Sequence, residues 1–107
     1  MSDAETAVTV VLWEAKAKPG RERDMKSFMT DAVTASRHDP GCIDYEAHEV
    51  EGQLGTFVIY ERWVSRAALD AHLSAPRMQQ LVPKLLELME GTIEAGIRVL
   101  RPFRPAG

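Results

Sequence analysis

The sequence has a single cysteine, no cluster of basic residues and no long apolar stretch, and each absence excludes a class of protein. With Cys42 alone, no disulfide can form within the chain, so the disulfide framework of a small secreted domain is excluded. Lysine and arginine total 13 against 16 aspartates and glutamates, and the formal net charge is -3. Because binding to phosphates requires clustered positive charge, we expect no nucleic-acid surface.

The sequence also lacks the features typical of membrane proteins and of nucleotide-binding or flavin-binding proteins. No apolar stretch approaches the roughly 20 residues that a transmembrane helix needs. The first five residues contain two acidic side chains, whereas a signal peptide starts basic and then turns apolar. We therefore expect a cytoplasmic protein with no membrane partner. No glycine-rich phosphate loop is present, so neither a nucleotide nor a flavin is predicted, and we expect no cofactor.

The 107 residues are predicted to form one α+β domain, with flexible ends at residues 1–5 and 102–107. Alternating apolar residues predict strands, and apolar residues three and four apart predict helices. We expect strands at residues 6–17, 42–50, 56–64 and 93–100, and helices at residues 21–37, 65–74 and 76–90. The order β-α-β-β-α-α-β is that of a ferredoxin-like fold with a four-stranded antiparallel sheet.

Two features of this pattern lead to further expectations. Pro83 lies inside the last predicted helix, where proline removes a hydrogen bond, so we expect a bend or a restart near residues 79–82. The first predicted strand is apolar on both faces, so helices on one side would leave an apolar face of the sheet uncovered. A homodimer with two sheets packed face to face is the simplest way to cover it.

The stretch 60–77 joins the third predicted strand to the two later helices. In an extended chain Trp63 and Glu61 lie on the same face of the strand. Ser65 can cap the helix that follows, and His72 lies on the apolar stripe of that helix. A large indole at the end of a strand and an imidazole one short helix later are therefore predicted to face the same space.

Three segments resemble the antibiotic biosynthesis monooxygenase family: GCIDYE at 41–46, YERWVS at 60–65 and ALDAHLSAP at 68–76, with KPG at 18–20 also fitting. The resemblance extends over about residues 8–100. It implies a dimeric α+β barrel of ferredoxin-like chains, each with a pocket between its sheet and its helices. Some members oxidise polycyclic hydroquinones with dioxygen and no cofactor, some resemble quinol monooxygenases, and others cleave heme.

Two positions depart from the family pattern. The second helix of the pair commonly opens with Pro-His in this family, and here it opens with Pro76 and Arg77, so the imidazole contributed there is absent. Heme-cleaving relatives use an Asn on the first strand, and Trp13 stands at the matching place in this sequence. Heme degradation is therefore disfavoured.

The chemistry that the resemblance implies needs a base, donors that hold the resulting anion, and a dry apolar wall. We predict His72 as the base, because imidazole titrates near neutral pH, and Trp63 as its catalytic partner. Tyr60 and Arg77 are the predicted donors that orient the aromatic substrate. The predicted apolar wall consists of Met25, Phe28, Met78 and Leu81.

Several alternatives stay open at this stage. Trp63 could be only a core indole, and His72 only a buried structural side chain. The whole domain could be a small-molecule-binding dimer without catalysis, or a non-oxidative isomerase using the same pocket. Glu46, His48 and Glu61 could share one face of the hairpin, but this spacing resembles a metal cluster only loosely, and no metal is predicted.

Overall fold

A four-stranded antiparallel sheet and three helices make up residues 7–103, which are the residues described by the computed structural model. The strands are β1 (Thr9–Lys16), β2 (Cys42–Glu49), β3 (Thr56–Trp63) and β4 (Ile97–Leu100), and the helices are α1 (Glu22–Ser36), α2 (Arg66–Ser74) and α3 (Pro76–Leu88). The strands are ordered β2-β3-β1-β4 across the sheet. The predicted ferredoxin-like α+β fold is confirmed.

The strand β1 lies inside the sheet, between β3 and β4, which agrees with its apolar residues on both faces. Its residue Val11 lies opposite Glu61 of β3 and Val99 of β4, so these three side chains share the face that packs against the helices. The core lies on this face, where Trp13 of β1 and Ile59 of β3 lie directly opposite each other and are both buried.

The apolar stripe and the helix cap expected from the sequence are both observed in the structure. The residues Met25, Met29 and Val33 of α1 are spaced four apart and are buried in the core, as a one-sided apolar stripe predicts. The hydroxyl of Ser65 caps α2 by accepting a hydrogen bond from the backbone N–H of Ala68 at 3.1 Å.

The fourth strand is shorter than predicted. It begins at Ile97, because the preceding residues 94–96 form a 3-10 turn. At this turn Gly96 passes so close to β1 that an added Cβ would collide with the backbone carbonyl oxygen of Glu14. The carbonyl of Ile93 accepts a hydrogen bond from Nε1 of Trp13 at 2.9 Å instead of joining the strand ladder. Because these contacts join residues that are far apart in the sequence, the alternation of apolar residues could not predict them.

The predicted restart of the last helix near residues 79–82 is not observed, because α3 continues through Pro83. Proline removes one helical hydrogen bond, but the apolar stripe continues past it, and Leu85 and Leu88 are buried in the core. The helix ends two residues before the predicted residue 90. The N–H of Glu90 instead donates to the carbonyl of Lys16 at 2.8 Å, which ties this end to β1.

The second face of the sheet is covered by no helix within residues 7–103. Register places Val10, Leu12, Tyr60 and Leu100 together on this face, which we call the outer face. No helix among the described residues is long and apolar enough to cross a membrane. The predicted flexible residues 1–5, the expected strand start at residue 6 and the C-terminal residues 104–107 lie outside the described part of the chain.

Candidate active site

A cavity of about 100 Å³ lies between the helix-covered face of the sheet and the three helices. Its wall is mostly apolar and includes the predicted wall residues Phe28, Met78 and Leu81, together with Trp13. The polar side chains on the wall are those of Ser36, Tyr45, Glu61 and His72. The cavity therefore combines apolar surroundings with one imidazole and one carboxyl group.

The imidazole of His72 is fixed by a carboxylate. His72 is only 3% exposed, and its Nδ1 lies 2.6 Å from Oδ2 of Asp39. Because a carboxylate only accepts hydrogen bonds, this contact assigns the ring proton to Nδ1 and leaves Nε2 as the basic nitrogen. The hydrogen bond observed for this ring within residues 7–103 is the one made by Nδ1, so Nε2 is available to a bound molecule.

The turn 39–41 positions Asp39 beside the imidazole. Gly41 has φ = +82°, and a Cβ at this position would lie 2.6 Å from the Cβ of Ala68. Only glycine can adopt this conformation at such close packing without strain. The carbonyl of Gly41 also accepts a hydrogen bond from the Val64 N–H at 2.8 Å. The turn is thereby held against the start of α2, the helix that contains His72.

Arg77 completes this group from the start of α3. Its Nη2 donates to the same Oδ2 of Asp39 at 2.6 Å, and its Nη1 lies 3.5 Å from Oγ of Ser36. Partial burial raises the pKa of Asp39, but the hydrogen bonds from His72 and Arg77 outweigh it and hold this pKa below its ordinary value. Asp39 is therefore a carboxylate at neutral pH. Arg77 contacts this carboxylate but does not line the cavity.

Trp63 lies behind the cavity wall. It is fully buried, and its ring centroid lies 4.6 Å from that of His72 at an interplanar angle of 35°. The ring of Tyr45 meets both in edge contacts, at 6.3 Å from Trp63 and 5.6 Å from His72. Nε1 of Trp63 donates to Oε1 of Glu61 at 2.9 Å. The indole thus supports two groups that do line the cavity.

Glu61 is the carboxyl group of the cavity wall. It is 6% exposed, and burial raises its pKa to about 7, although hydrogen bonds from Trp63 and Tyr45 act in the opposite direction. Burial, followed by the negative charge of Glu61, also raises the pKa of Tyr45, whose phenol stays protonated. Near neutral pH the wall therefore contains a carboxyl group that can both hold and release a proton.

Burial also changes the titration of His72. It lowers the pKa of the imidazole, and the hydrogen bond and charge of Asp39, which raise this pKa, do not fully compensate. The imidazole is therefore neutral at pH 7, with a proton on Nδ1 and a lone pair on Nε2. A neutral imidazole in an apolar cavity can accept a proton from a weakly acidic bound molecule.

The other predicted site residues lie elsewhere. Met25 is fully buried in the core and does not line this cavity, and Tyr60 lies on the outer face, opposite Leu12 of β1. The three hairpin residues considered as a loose cluster do not share one face of the sheet. Glu46 pairs with Tyr60 on the outer face, whereas Glu61 lies on the helix-covered face. Within residues 7–103 no three His, Cys, Asp or Glu side chains are grouped as metal ligands.

Four polar residues of the site, Ser36, Asp39, Tyr45 and Glu61, were not among the predicted site residues. Glu61 had a usable signal, since a carboxyl group alternates there with Ile59 and Trp63 on an apolar strand face. Tyr45 had a weaker one, because it lies on the apolar side of β2. Asp39 belongs to an Asp-Pro-Gly turn, and nothing in that local pattern distinguishes a turn residue from a partner of His72.

The chain is similar to known proteins in sequence and in fold. Residues 9–95 match the sequence model of the family described as antibiotic biosynthesis monooxygenase. An uncharacterized protein of Synechocystis sp. is 33% identical over 88 residues, which are 82% of this chain and 60% of that protein. The chain thus spans less than two thirds of the length of this relative.

Two further relatives are closer in length. The Bacillus subtilis protein named "Putative monooxygenase YcnE" is 30% identical over 79 residues, covering 74% of this chain and 83% of that protein. The solved structure of Rv0793 from Mycobacterium tuberculosis superposes with a TM-score of 0.82 at 25% identity, covering 94% of this chain and 100% of that chain.

Proposed function

The chain belongs to the antibiotic biosynthesis monooxygenase family, and from this premise we propose that it is a cofactor-independent monooxygenase. Its proposed substrate is a small aromatic phenol or hydroquinone, oxidised by dioxygen. One observation carries the proposal: a buried, neutral imidazole is held by a carboxylate at 2.6 Å in the wall of an otherwise apolar cavity. The monooxygenase name of the Bacillus subtilis relative supports the same class of reaction.

This arrangement suits the first step of the reaction. Nε2 of His72 takes the phenolic proton, and the resulting imidazolium is stabilised by the Asp39 carboxylate. The phenolate gives an electron to dioxygen far more readily than the neutral phenol does. An apolar wall excludes water from the charged and radical species that follow. In this scheme Arg77 is a positioning residue, because it holds Asp39 and does not reach the cavity wall.

The size of the cavity narrows the substrate class. An apolar cavity of about 150 Å³ is large enough to admit benzene. The cavity here measures about 100 Å³, which is smaller, so it leaves room for no more than one aromatic ring. We therefore propose a single-ring substrate, in contrast to the polycyclic hydroquinones that some family members oxidise.

Trp63 acts in this proposal through its neighbours. Because it lies behind the wall, it does not contact the substrate, but its ring packs at a tilt against the imidazole and its Nε1 donates a hydrogen bond to the carboxyl group of Glu61. Replacing the indole by a smaller ring would loosen both groups. Trp63 is therefore a positioning residue rather than the catalytic partner that the sequence motif suggested.

We also propose that the protein works as a homodimer joined through the outer face. Tyr60 and Leu12 pair at the centre of this face, and Val10 and Leu100 flank them. No helix within residues 7–103 covers these side chains. Arg62 and Arg98 lie beside them on the same face, and an uncovered apolar centre with charged residues around it favours a partner. A second copy of the chain offers a surface of the same chemistry.

Dioxygen uptake by the metal-stripped protein tests the proposed activity. The substrates are a panel of single-ring phenols and hydroquinones, with a three-ring anthrone for comparison. We expect faster uptake on the single-ring compounds. In His72→Ala the catalysed rate should fall on the order of a hundredfold. His48→Ala is the matched control, because His48 is an exposed imidazole on the outer side of β2. Trp63→Phe should lose part of the rate.

The possible results separate the alternatives. Unchanged turnover in His72→Ala would show that His72 is not the base. If the wild-type protein consumes no dioxygen with any substrate, the oxygenase proposal is wrong. A small molecule retained on purification would then favour the binding dimer, and a cofactor-free change of substrate without dioxygen uptake would favour the isomerase.

A further inference from the structure

Glu61 has an environment that the deprotonation step does not explain. It is the carboxyl group of the cavity wall, and its strand neighbours on the same face, Ile59 and Trp63, are apolar core residues. A buried carboxyl group costs stability unless it is hydrogen-bonded. Glu61 is supplied with such a bond by Nε1 of Trp63 at 2.9 Å. The fold therefore maintains an acidic group at a place where an apolar side chain would pack with less cost.

The indole of Trp63 connects this carboxyl group to the proposed base. One edge of the indole donates to Glu61, and its ring face lies against His72 at a centroid distance of 4.6 Å. Both Glu61 and His72 line the same small cavity. A single aromatic ring in a space of about 100 Å³ would contact both groups. The site thus presents two separate proton-transfer groups to one bound molecule.

We propose that Glu61 is a second catalytic residue of this site and that it delivers a proton to the peroxide formed when dioxygen adds to the substrate ring. This inference rests on the proposed monooxygenase function. It assigns the proton removal that starts the reaction to His72 and the protonation of the peroxide to Glu61. A second proton donor is useful because the charge of Asp39 stabilises the His72 imidazolium, which therefore gives up its proton less readily.

The proton and electron balance closes with these two residues alone. His72 takes the phenolic proton, and a ring carbon that bears a hydrogen then forms a bond to dioxygen, which is reduced to a bound peroxide by two electrons of the ring. Glu61 gives its proton to the terminal peroxide oxygen. Its carboxylate then removes the hydrogen on that carbon as a proton, and the C–H electron pair completes the carbonyl while the O–O bond breaks.

The leaving hydroxide receives the proton held by the His72 imidazolium and departs as water. One oxygen atom of dioxygen ends in the quinone and the other in water, and the substrate is oxidised by four electrons. Glu61 is again protonated and His72 again neutral, so the next cycle can begin. The only co-reactant is dioxygen, which the proposed function already requires.

The surroundings of Glu61 agree with this role. Burial raises its pKa to about 7, so a large fraction carries a proton at neutral pH. The titratable groups that face it are Tyr45 and Cys42 on β2 and His72 on α2. Burial is the largest cause of the raised pKa values of Tyr45 and Cys42, so both stay neutral. Because Trp63 donates to Oε1, we assign the transferable proton to Oε2.

The variant Glu61→Gln tests the inference. Its amide oxygen can still accept the hydrogen bond from Trp63, but it cannot transfer a proton. The measurement is the number of oxygen atoms incorporated into product from labelled dioxygen per dioxygen consumed, together with released superoxide and hydrogen peroxide. We expect dioxygen consumption to continue, while incorporation per dioxygen falls about tenfold or more and reduced oxygen escapes. The wild-type ratio should also fall as the pH rises through about 7, where Glu61 ionises.

Glu46→Gln is the matched control, because Glu46 lies on the neighbouring strand but on the outer face of the sheet. Its incorporation ratio should equal that of the wild type. Glu61→Asp keeps a carboxyl group that is one methylene shorter, and it should give an intermediate ratio. This second variant tests the same step if the glutamine variant does not fold, as judged by circular dichroism.

The possible outcomes distinguish a failure of this inference from a failure of the proposed function. A wild-type incorporation ratio in folded Glu61→Gln overturns the role of Glu61 and leaves the oxygenase function standing. Complete loss of dioxygen consumption in the folded variant also overturns it, because Glu61 would then act before dioxygen reacts. Absence of dioxygen consumption by the wild-type protein overturns the oxygenase function and this inference together.

Discussion

Nδ1 of His72 lies 2.6 Å from Oδ2 of Asp39, a residue 33 positions earlier in the chain. The same oxygen accepts a hydrogen bond from Arg77 at 2.6 Å. The carboxylate raises the pKa of the imidazole, while the positive charge of Arg77 lowers it, and burial lowers it most of all. These opposing effects allow the titration of His72 to be moved in either direction by substitutions that leave the imidazole in place.

Replacing Asp39 by Asn should lower the pKa of His72 further. The substitution removes a negative charge and weakens a hydrogen bond that favours the imidazolium. Catalysis should also slow on the order of a hundredfold, because the imidazolium formed during the reaction loses its counter-charge. The imidazole pKa can be followed by NMR titration. Asp44→Asn is the control, since Asp44 pairs with Arg62 on the surface. An unchanged or raised pKa in Asp39→Asn would contradict the proposed pairing.

The substitution Arg77→Gln should shift the same pKa upward. The positive charge of Arg77 disfavours a second positive charge on His72, and glutamine removes it while keeping a hydrogen-bond donor. The acid limb of the rate profile should therefore move to higher pH, and the rate at pH 7 should fall. NMR titration of His72 and the pH dependence of dioxygen uptake provide two independent measurements. Arg66→Gln, which removes an exposed arginine paired with Asp70, should change neither.

Local sequence patterns predict the fold well because alternation and helical spacing are properties of neighbouring residues. The same alternation also places Tyr60 and Glu61 on opposite faces of β3, and the structure agrees, so Tyr60 lies away from the cavity while Glu61 lines it. The motif that suggested Tyr60 as a substrate-orienting donor did not take this alternation into account. The contact between Asp39 and His72 could not be predicted, because it depends on how the turn 39–41 packs against α2.

The free energy of unfolding should depend on pH through Glu61. Its pKa is 4.5 in the absence of burial and about 7 in the folded protein. Between these values the folded chain retains a proton that the unfolded chain has lost, so this contribution to stability is complete below about pH 4.5 and is lost as the pH rises through about 7. The total is on the order of 3 kcal/mol.

Urea unfolding of the wild type and Glu61→Gln across pH 4.5 to 8 measures this contribution as a difference. The comparison between variants is necessary because His72 changes the free energy of unfolding with pH in the opposite direction. Its lowered folded pKa makes the unfolded chain the stronger proton binder below about 6.5, so its contribution to stability is lost on acidification. Glu61→Gln should gain stability relative to the wild type as the pH rises. A difference that is constant with pH would show that Glu61 titrates normally.

The proposed dimer leads to a prediction at the centre of the outer face. Leu12 is half-buried there and lies opposite Tyr60 on one side and Arg98 on the other. The protein should sediment as a dimer at micromolar concentration. In Leu12→Lys the dimer dissociation constant should rise about a hundredfold or more, because each interface would bury two unpaired ammonium groups close to existing arginines.

Leu54→Lys is the matched control for this experiment. It introduces the same charge in place of the same side chain, but Leu54 is 83% exposed and lies in the turn between β2 and β3, away from the outer face. Sedimentation equilibrium of the three proteins, with far-UV circular dichroism to confirm folding, separates loss of association from loss of structure. A wild-type protein that sediments as a monomer would contradict the dimer. Equal weakening by both substitutions would place the interface elsewhere, because a contact through the outer face must respond to Leu12 and not to Leu54.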